Sequence, residues 1–226
     1  PRMLILFDID GTLLRTQGAG RESTREAMLE VFGTASTIDN HHFGGKTDWQ
    51  TLIELLTDHG YTREMIGQRF AAYEPVVARH LERIISTRNT TPTPGALEAV
   101  HALRQRDDVI LGIVTGNVTS TAPIKLRAAG FDPSWFVVGA YGSEAVYRDD
   151  LPPIALRRAI DYSGRQIAPH EVIIIGDTAA DVQCARALGA MAIAVRTGFS
   201  HHQELIDARP DHLLDDLTTL LDVLQL

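Results

Sequence analysis

Short apolar runs punctuate the chain, and each of them ends abruptly in a polar or glycine-containing turn. They occupy residues 4–7, 109–114, 136–138, 172–175 and 191–195. Their hydrophobicity is continuous rather than alternating, which is typical of strands covered on both faces in a parallel sheet. These runs therefore predict the buried strands of such a sheet.

Helical patterns lie between these runs, together with the residues that usually mark helix ends. Apolar residues at helical spacing follow Pro94 and Pro153, and a third pattern of this kind is closed by Gly189. Strands that alternate with helices in this way are typical of a doubly wound, Rossmann-like α/β fold with a parallel sheet. We predict this fold class for the core of the protein.

One connection is far too long for a simple crossover, since residues 8–108 separate the first two predicted strands. Most of this segment carries helical patterns, and Pro75 should kink or split the last of them. We therefore predict a helical cap over residues 16–88, inserted into an α/β core formed by residues 1–15 and 89–226.

The composition is that of an ordinary globular protein, with 44% hydrophobic and 22% charged residues. No apolar run approaches the roughly 20 residues of a membrane helix, and the first residues lack the pattern of a signal peptide. The single cysteine, Cys184, gives no support for an oxidising compartment. We expect a cytoplasmic protein without membrane partners, and the sequence does not predict its oligomeric state.

The net charge of -8 argues against nucleic acid as a partner. A local positive pocket can still bind a small anion, whatever the overall charge. Small phosphorylated metabolites therefore remain possible ligands.

Polar side chains follow several predicted strands at the point where each strand ends. Asp8 and Asp10 follow the first strand, Thr115 follows the second, and Asp177 follows a later one, with Asp181 four residues on. The carboxyl ends of parallel strands lie at one edge of the sheet, where ligands bind. Carboxylates that converge there repel one another unless a cation compensates. The sequence thus predicts a metal site at this edge.

Oxygen ligands in small number suit magnesium, which keeps several waters and typically takes one or two carboxylates plus substrate phosphate. Two neighbouring aspartates can divide the chemistry, because one can attack phosphorus while the other handles the proton. Simpler explanations stay open for the other residues. Asp181 would suit the first turn of a helix, and Thr115 and Asn117 could cap a helix that begins near Thr119.

The segment from Asp8 to Thr12, followed in order by Thr115, Asp177 and Asp181, resembles the motifs of the haloacid dehalogenase (HAD) superfamily. The resemblance covers essentially the whole chain. The insertion after the first motif is similar to the cap of phosphoglycolate phosphatase and β-phosphoglucomutase relatives. The resemblance implies a magnesium-dependent phosphohydrolase that acts on a small phosphorylated metabolite.

By this resemblance Asp8 would be the nucleophile that becomes phosphorylated. Asp10 would protonate the leaving group and then activate water. Magnesium would be held by Asp8, the backbone carbonyl of Asp10 and Asp177, and Asp181 would orient these ligands from behind.

The resemblance also implies the residues that bind the substrate. Thr115 and the amide of Gly116 would hold the phosphoryl oxygens, and we expect Asn117 to contact the substrate as well. Lys46 lies in a loop of the insertion, before the helix predicted to start near Trp49, and from there it could reach over the cleft and select an anionic substrate.

The basic motif departs from the superfamily pattern, which has a lysine just before a helix that starts with proline. Aligning the helix start at Pro153 puts Arg148 at the lysine position, where a guanidinium could neutralise the nucleophile and the phosphoryl group. Lys125 is the alternative, although its place within a helix makes a surface role the simpler expectation. The sequence leaves this choice open.

Other functions stay open at this point. A phosphomutase would use the same phosphorylated intermediate and return the phosphoryl group to a sugar. A dehalogenase is disfavoured, because that chemistry needs neither Asp10 nor the metal ligands. A catalytically silent binding module on the same fold is the alternative from a different class.

Overall fold

The computed structural model describes residues 3–226, and strands and helices alternate along it as predicted. Residues 1 and 2, which open the predicted core, lie outside the described residues. The strands are β1 (Met3–Phe7), β2 (Leu14–Arg15), β3 (Thr91–Pro92), β4 (Val109–Val114), β5 (Val138–Ala140), β6 (Val172–Gly176), β7 (Met191–Val195) and β8 (His212–Leu214). The helices are α1 (Ala19–Phe32), α2 (Asp48–Leu56), α3 (Arg63–Ile85), α4 (Ala96–Leu103), α5 (Ala122–Ala128), α6 (Leu151–Ser163), α7 (Ala179–Leu188), α8 (His202–Asp207) and α9 (Leu220–Leu224).

Six strands form one parallel sheet in the order β5-β4-β1-β6-β7-β8, with β1 between β4 and β6. Ile5 and Phe7 of β1 pack on one face of the sheet against α4 and α5. Leu4 and Leu6 pack on the other face against α6 and α7. All four side chains are fully buried. The predicted burial of both faces and the doubly wound α/β fold class are thereby confirmed.

The short strands β2 and β3 were not predicted, and in the six-stranded sheet β5 and β8 differ from the prediction. β5 begins at Val138, whereas the prediction began at residue 136. Phe136 instead packs in the core edge-on to Phe7, with ring centroids 6.4 Å apart, after the short 3-10 turn Pro133–Trp135. β8 was not predicted, because it has only three residues and begins with an exposed histidine, His212.

The helices α1, α2 and α3 form the helical insertion between β2 and β3. These two strands pair antiparallel, with Leu14 opposite Pro92, so the chain leaves and re-enters the core at one place. The insertion has its own apolar core, in which Phe70 is buried and Trp49 is partly buried. The exact cap boundaries at residues 16 and 88 stay a prediction.

We predicted that Pro75 would kink or split this helix; α3 runs from Arg63 to Ile85 through Pro75, so a split is wrong and a kink stays a prediction. Proline removes one backbone donor and crowds the preceding turn. Tyr73 and Val77, on either side of Pro75, are both buried in the core of the insertion. This packing holds the two halves in one helix. No helix among the described residues combines the length and apolar character that a membrane crossing would require.

Candidate active site

Three carboxylates meet at the carboxyl edge of the sheet, as the sequence predicts. Asp8 directly follows β1 and Asp177 directly follows β6, and these two strands are neighbours. Asp181 lies in the first turn of α7. Each of the three buried aspartates offers an oxygen, and these oxygens lie within 4.8 Å of one another.

Burial and mutual repulsion disfavour the negative charge on two of these carboxylates, Asp8 and Asp177, and raise their pKa values. Burial raises the pKa of Asp8 to about 6, although Arg148 lowers it in part. Burial, with Asp8 and Asp181 nearby, raises the pKa of Asp177 well above its usual range. A cation between Asp8 and Asp177 would relieve this repulsion. Because the donors are carboxylate oxygens, the site fits a hard cation such as Mg²⁺.

Asp181 is held by protein groups through both of its oxygens. Thr178 caps α7, and its backbone N–H and hydroxyl donate to Asp181 Oδ2 at 3.0 and 2.7 Å. Arg148 Nη2 donates to Oδ1 at 2.5 Å. This arrangement favours an orienting position over direct metal binding. The Thr178-x-x-Asp181 spacing of a capping box could have been found in the sequence.

Asp177 is held more loosely, and its orientation depends on two glycines. Thr12 Oγ1 donates to one of its oxygens at 3.2 Å, and the backbone N–H of Phe199 donates to the other at 3.3 Å. Gly11 has a positive φ of 80°, and a Cβ there would lie 2.5 Å from the Asp177 carboxylate. Gly198 likewise leaves no room for a Cβ beside Asp177. The contribution of the loop at residues 198–199 had no signal in the sequence.

Arg148 lies beside the nucleophile candidate. Its Nη2 is 3.1 Å from Asp8 Oδ1, and the same nitrogen donates to the Val114 carbonyl at 3.3 Å. Burial would lower the pKa of Arg148, but the charges of Asp181 and Asp8 outweigh burial and raise it well above its usual range. Arg148 therefore stays charged in this buried position.

Lys125 is buried, so the expectation of a surface role is wrong. Its Nζ donates to both oxygens of Asp10, at 2.9 and 2.8 Å, and to Asn117 Oδ1 at 2.6 Å. The reason is tertiary packing, because α5 packs against α3 of the insertion and its Lys125 face looks into the cleft between them. The ion-pair partner of Lys125 is Asp10, whereas that of Asp8 is Arg148.

Thr115 and Asn117 do not cap a helix, since α5 begins only at Ala122. Asn117 Nδ2 donates to Asp10 Oδ2 and to Thr115 Oγ1, both at 2.7 Å. The amide of Asn117 therefore ties Asp10 to Thr115 within the protein. Thr115 is fully buried and lines the cleft.

The loop before α2 docks on the core next to Thr115. The backbone N–H of Asp48 donates to the Gly116 carbonyl at 2.8 Å, and Thr47 Oγ1 donates to the Val146 carbonyl at 2.5 Å. Lys46 lines the cleft as predicted, but its Nζ pairs with Glu54 Oε2 at 2.6 Å. Any substrate anion would therefore compete with Glu54 for Lys46.

Asp48 is a titratable group of the cleft to which the sequence analysis gave no role. Burial raises its pKa to about 6, although Lys125 lowers it in part. Its side chain accepts a hydrogen bond from the backbone N–H of Val118 at 3.2 Å. The sequence signal is ambiguous, because an aspartate in the first turn of a helix is fully explained by the helix dipole.

The site opens into a cleft of about 880 Å³ between the sheet edge and the helical insertion. Its floor contains Asp8, Asp10 and Asp177, and its walls include Lys46 and Asp48 of the insertion. Such a cleft can hold a small molecule with a phosphate next to the aspartates. Two neighbouring carboxyls beside buried cations, as Asp8 and Asp10 are here, suit phosphoryl transfer.

A family model described as haloacid dehalogenase-like hydrolase matches residues 3–189. This range contains the four aspartates that the sequence predicted for the site, Asp8, Asp10, Asp177 and Asp181. The match therefore includes the strands β1, β4 and β6, which these carboxylates and Thr115 follow.

Relatives and solved structures match the chain over nearly its whole length. A phosphoglycolate phosphatase from Synechococcus elongatus is 32% identical, over 96% of this chain and 94% of that protein. Pyrophosphatase PpaX from Bacillus pumilus is 24% identical, over 97% and 94%. A hydrolase from Pseudomonas syringae has a TM-score of 0.73 at 23% identity, covering 99% of this chain and 98% of that one. CbbY from Rhodobacter sphaeroides in complex with phosphate has a TM-score of 0.72 at 20% identity, with complete coverage of both chains.

Proposed function

The chain belongs to the haloacid dehalogenase-like hydrolase family and is a phosphatase, and on this premise we propose that it hydrolyses a small phosphorylated metabolite in a magnesium-dependent reaction. The reaction would pass through a phosphorylated Asp8. The observation that carries the proposal is the convergence of Asp8 and Asp177 beside the buried Arg148. The relatives named phosphoglycolate phosphatase and pyrophosphatase support a substrate of this class.

In the first step, a carboxylate oxygen of Asp8 attacks phosphorus, and the bond from phosphorus to the leaving oxygen breaks. Asp10 gives its proton to that leaving oxygen, so the alcohol departs neutral. Arg148, 3.1 Å from Asp8, offsets the negative charge of the nucleophile and of the phosphoryl group. Thr115 and the amide of Gly116 would donate hydrogen bonds to the phosphoryl oxygens.

In the second step, water attacks phosphorus, and the bond from phosphorus to Asp8 breaks. Asp10, now a carboxylate, takes a proton from that water. Inorganic phosphate leaves, and Asp8 and Asp10 return to their starting states. The cleft under the helical insertion limits competing access of bulk water to the intermediate.

Magnesium would be held by Asp8, the backbone carbonyl of Asp10 and Asp177. When bound, it supplies positive charge that offsets the carboxylates and the phosphoryl oxygens. Asp181 would orient this group from behind, since its two oxygens already accept hydrogen bonds from Arg148 and Thr178.

The test is phosphate release from 4-nitrophenyl phosphate, phosphoglycolate, pyrophosphate and a hexose 1-phosphate, with magnesium and with chelator. We expect release to require magnesium and to fall by roughly 10⁴-fold or more in Asp8→Asn, because the nucleophile is lost. Asp215→Asn, at an exposed aspartate, is the matched control and should keep full activity. Full activity in Asp8→Asn would rule out the mechanism, and an isomerised sugar phosphate in place of inorganic phosphate would indicate a mutase.

A further inference from the structure

Lys125, Asn117 and Asp10 form a closed network of hydrogen bonds. The Lys125 ammonium donates to Asp10 Oδ1, Asp10 Oδ2 and Asn117 Oδ1 at 2.9, 2.8 and 2.6 Å. Asn117 Nδ2 completes the network by donating to Asp10 Oδ2 at 2.7 Å. Each member therefore contacts the other two.

The network leaves no donor of Lys125 for the substrate. A lysine ammonium has three N–H donors and no acceptor. All three donors of Lys125 have partners within the protein, two of them on Asp10. A direct contact from Lys125 to the transferred phosphoryl group would break this arrangement, whereas Arg148 already lies 3.1 Å from Asp8.

The members of the network differ in how far they are buried. The Lys125 side chain is 6% exposed, whereas that of Asp10 is 35% exposed. Asp10 is thus held from its buried side, and its open side faces the cleft. The position of the ammonium is restricted further by α1, because a Cβ at Gly20 would lie 3.0 Å from Lys125 Nζ.

We propose that Lys125 is a positioning residue, which together with Asn117 holds the Asp10 carboxyl toward the leaving-group oxygen of the substrate. This inference rests on the proposed function, because Asp10 needs a leaving group to protonate. Lys125 then acts on the proton transfer and not on the phosphoryl group. Removal of Lys125 should therefore lower kcat/KM most for substrates whose leaving group most needs a proton.

The test compares Lys125→Met on two aryl phosphates of similar size, 4-nitrophenyl phosphate and 4-methylphenyl phosphate. Nitrophenolate leaves readily without a proton, whereas methylphenolate needs one. We expect the loss of kcat/KM to be on the order of tenfold greater for the methylphenyl ester. An equal loss for both esters would overturn the proposal, because a contact to the phosphoryl group or a general structural role would affect both alike.

A double-mutant cycle with Asp10→Asn tests whether Lys125 acts through Asp10. We expect Asp10→Asn alone to show the same preference for the better leaving group. Adding Lys125→Met to it should cause little further loss on the methylphenyl ester. If the two losses multiply, Lys125 acts independently of Asp10 and the proposal is wrong.

Two further variants separate this inference from folding and from the proposed function. Arg127→Met removes a positive charge from the exposed face of the same helix and should leave the ratio of the two esters unchanged. If Lys125→Met does not fold, Gly20→Ala displaces the ammonium without removing it, and a smaller selective loss is expected. A uniform loss or none in that variant would then overturn the inference. Full activity in Asp8→Asn would instead contradict the proposed function itself.

Discussion

Asp8 and Asp10 stand two residues apart in the sequence, yet each is paired with a different buried cation. Arg148 pairs with Asp8 and Asp181, and all three belong to the α/β core. Lys125 pairs with Asp10 and lies where α5 meets the helical insertion. Asp8, the proposed nucleophile, is thus paired within the core, whereas Asp10, the proposed proton donor, lies at the boundary with the insertion.

The two cations also differ in how far their carboxylate partners are exposed to the cleft. Arg148 and both of its carboxylate partners are almost fully buried, so this network carries a high desolvation cost. Lys125 is buried too, but its partner Asp10 is about one-third exposed to the cleft. The difference teaches that Arg148 neutralises a buried acidic cluster, whereas Lys125 holds a carboxyl that is open to the cleft.

The largest expected effect in this comparison comes from Arg148→Met. Removing one member of a buried ionic cluster leaves its partners uncompensated, so we expect the free energy of unfolding to fall by about 3 to 5 kcal/mol. Phosphate release should fall by roughly 10² to 10³-fold, the usual effect of losing a donor that stabilises the transition state. Chemical denaturation and steady-state kinetics measure the two losses.

The matched control is Arg196→Met, since Arg196 forms an exposed pair with Asp215. We expect that variant to lose less than about 1 kcal/mol of stability and no activity. Equal losses in the two variants would contradict the distinction between the Arg148 network and an ordinary surface pair.

An effect of intermediate size on the free energy of unfolding is expected for Asp48→Asn. Asp48 is a buried carboxyl whose charge interacts with Lys125. The folded-state pKa of Asp48, about 6, lies above its usual value of 3.8, so the folded protein binds this proton more tightly than the unfolded chain. The free energy of unfolding therefore falls as pH rises between these values. At pH 8 we expect Asp48→Asn to be more stable than the wild type by up to about 3 kcal/mol.

Denaturation of both proteins between pH 3.5 and pH 8, about the range in which this carboxyl titrates, gives the measurement. The difference between variant and wild type cancels the other carboxyls, which titrate in both proteins. It should be near zero at the acid end and grow as pH rises. A difference that stays constant across this pH range would show that the pKa of Asp48 is not raised in the folded protein.

The smallest effect is expected for Lys46→Met, which removes a partly exposed cation of the cleft wall. Because Lys46 already pairs with Glu54 in a partly exposed position, we expect KM to rise by less than about fivefold, with kcat unchanged. Glu54→Gln frees the ammonium and should lower KM instead. A much larger rise in KM for Lys46→Met would make Lys46 a principal substrate contact, on a par with the two buried cations.

The sequence predicted best what depends on local pattern. The strands were visible because both faces of the sheet are buried, which makes each run continuously apolar. Asp8, Asp10 and Asp177 could be placed together because each directly or nearly follows one of these strands. Arg148 was placed near Asp8 by the family resemblance, aligned at the helix start, with Lys125 as the alternative, and the structure puts the Arg148 side chain 3.1 Å from Asp8.

What the sequence missed depends on packing between distant elements. Which face of α5 is covered follows from its contact with the insertion, so the burial of Lys125 had no local signal. The raised pKa of Asp48 has the same origin, because it arises where α2 meets the core. The three-residue strand β8 was missed because so short a segment carries no clear hydrophobic pattern.

The most direct test of the central claim is to trap the phosphoryl group on the protein. The protein is mixed with 4-nitrophenyl phosphate and magnesium, quenched in acid, digested and examined by mass spectrometry. We predict a phosphoryl adduct on Asp8 that accumulates in Asp10→Asn, where the good leaving group still departs but water is poorly activated, and that is absent in Asp8→Asn. Phosphate release without an adduct on Asp8 in Asp10→Asn, or an adduct that persists in Asp8→Asn, would contradict the account.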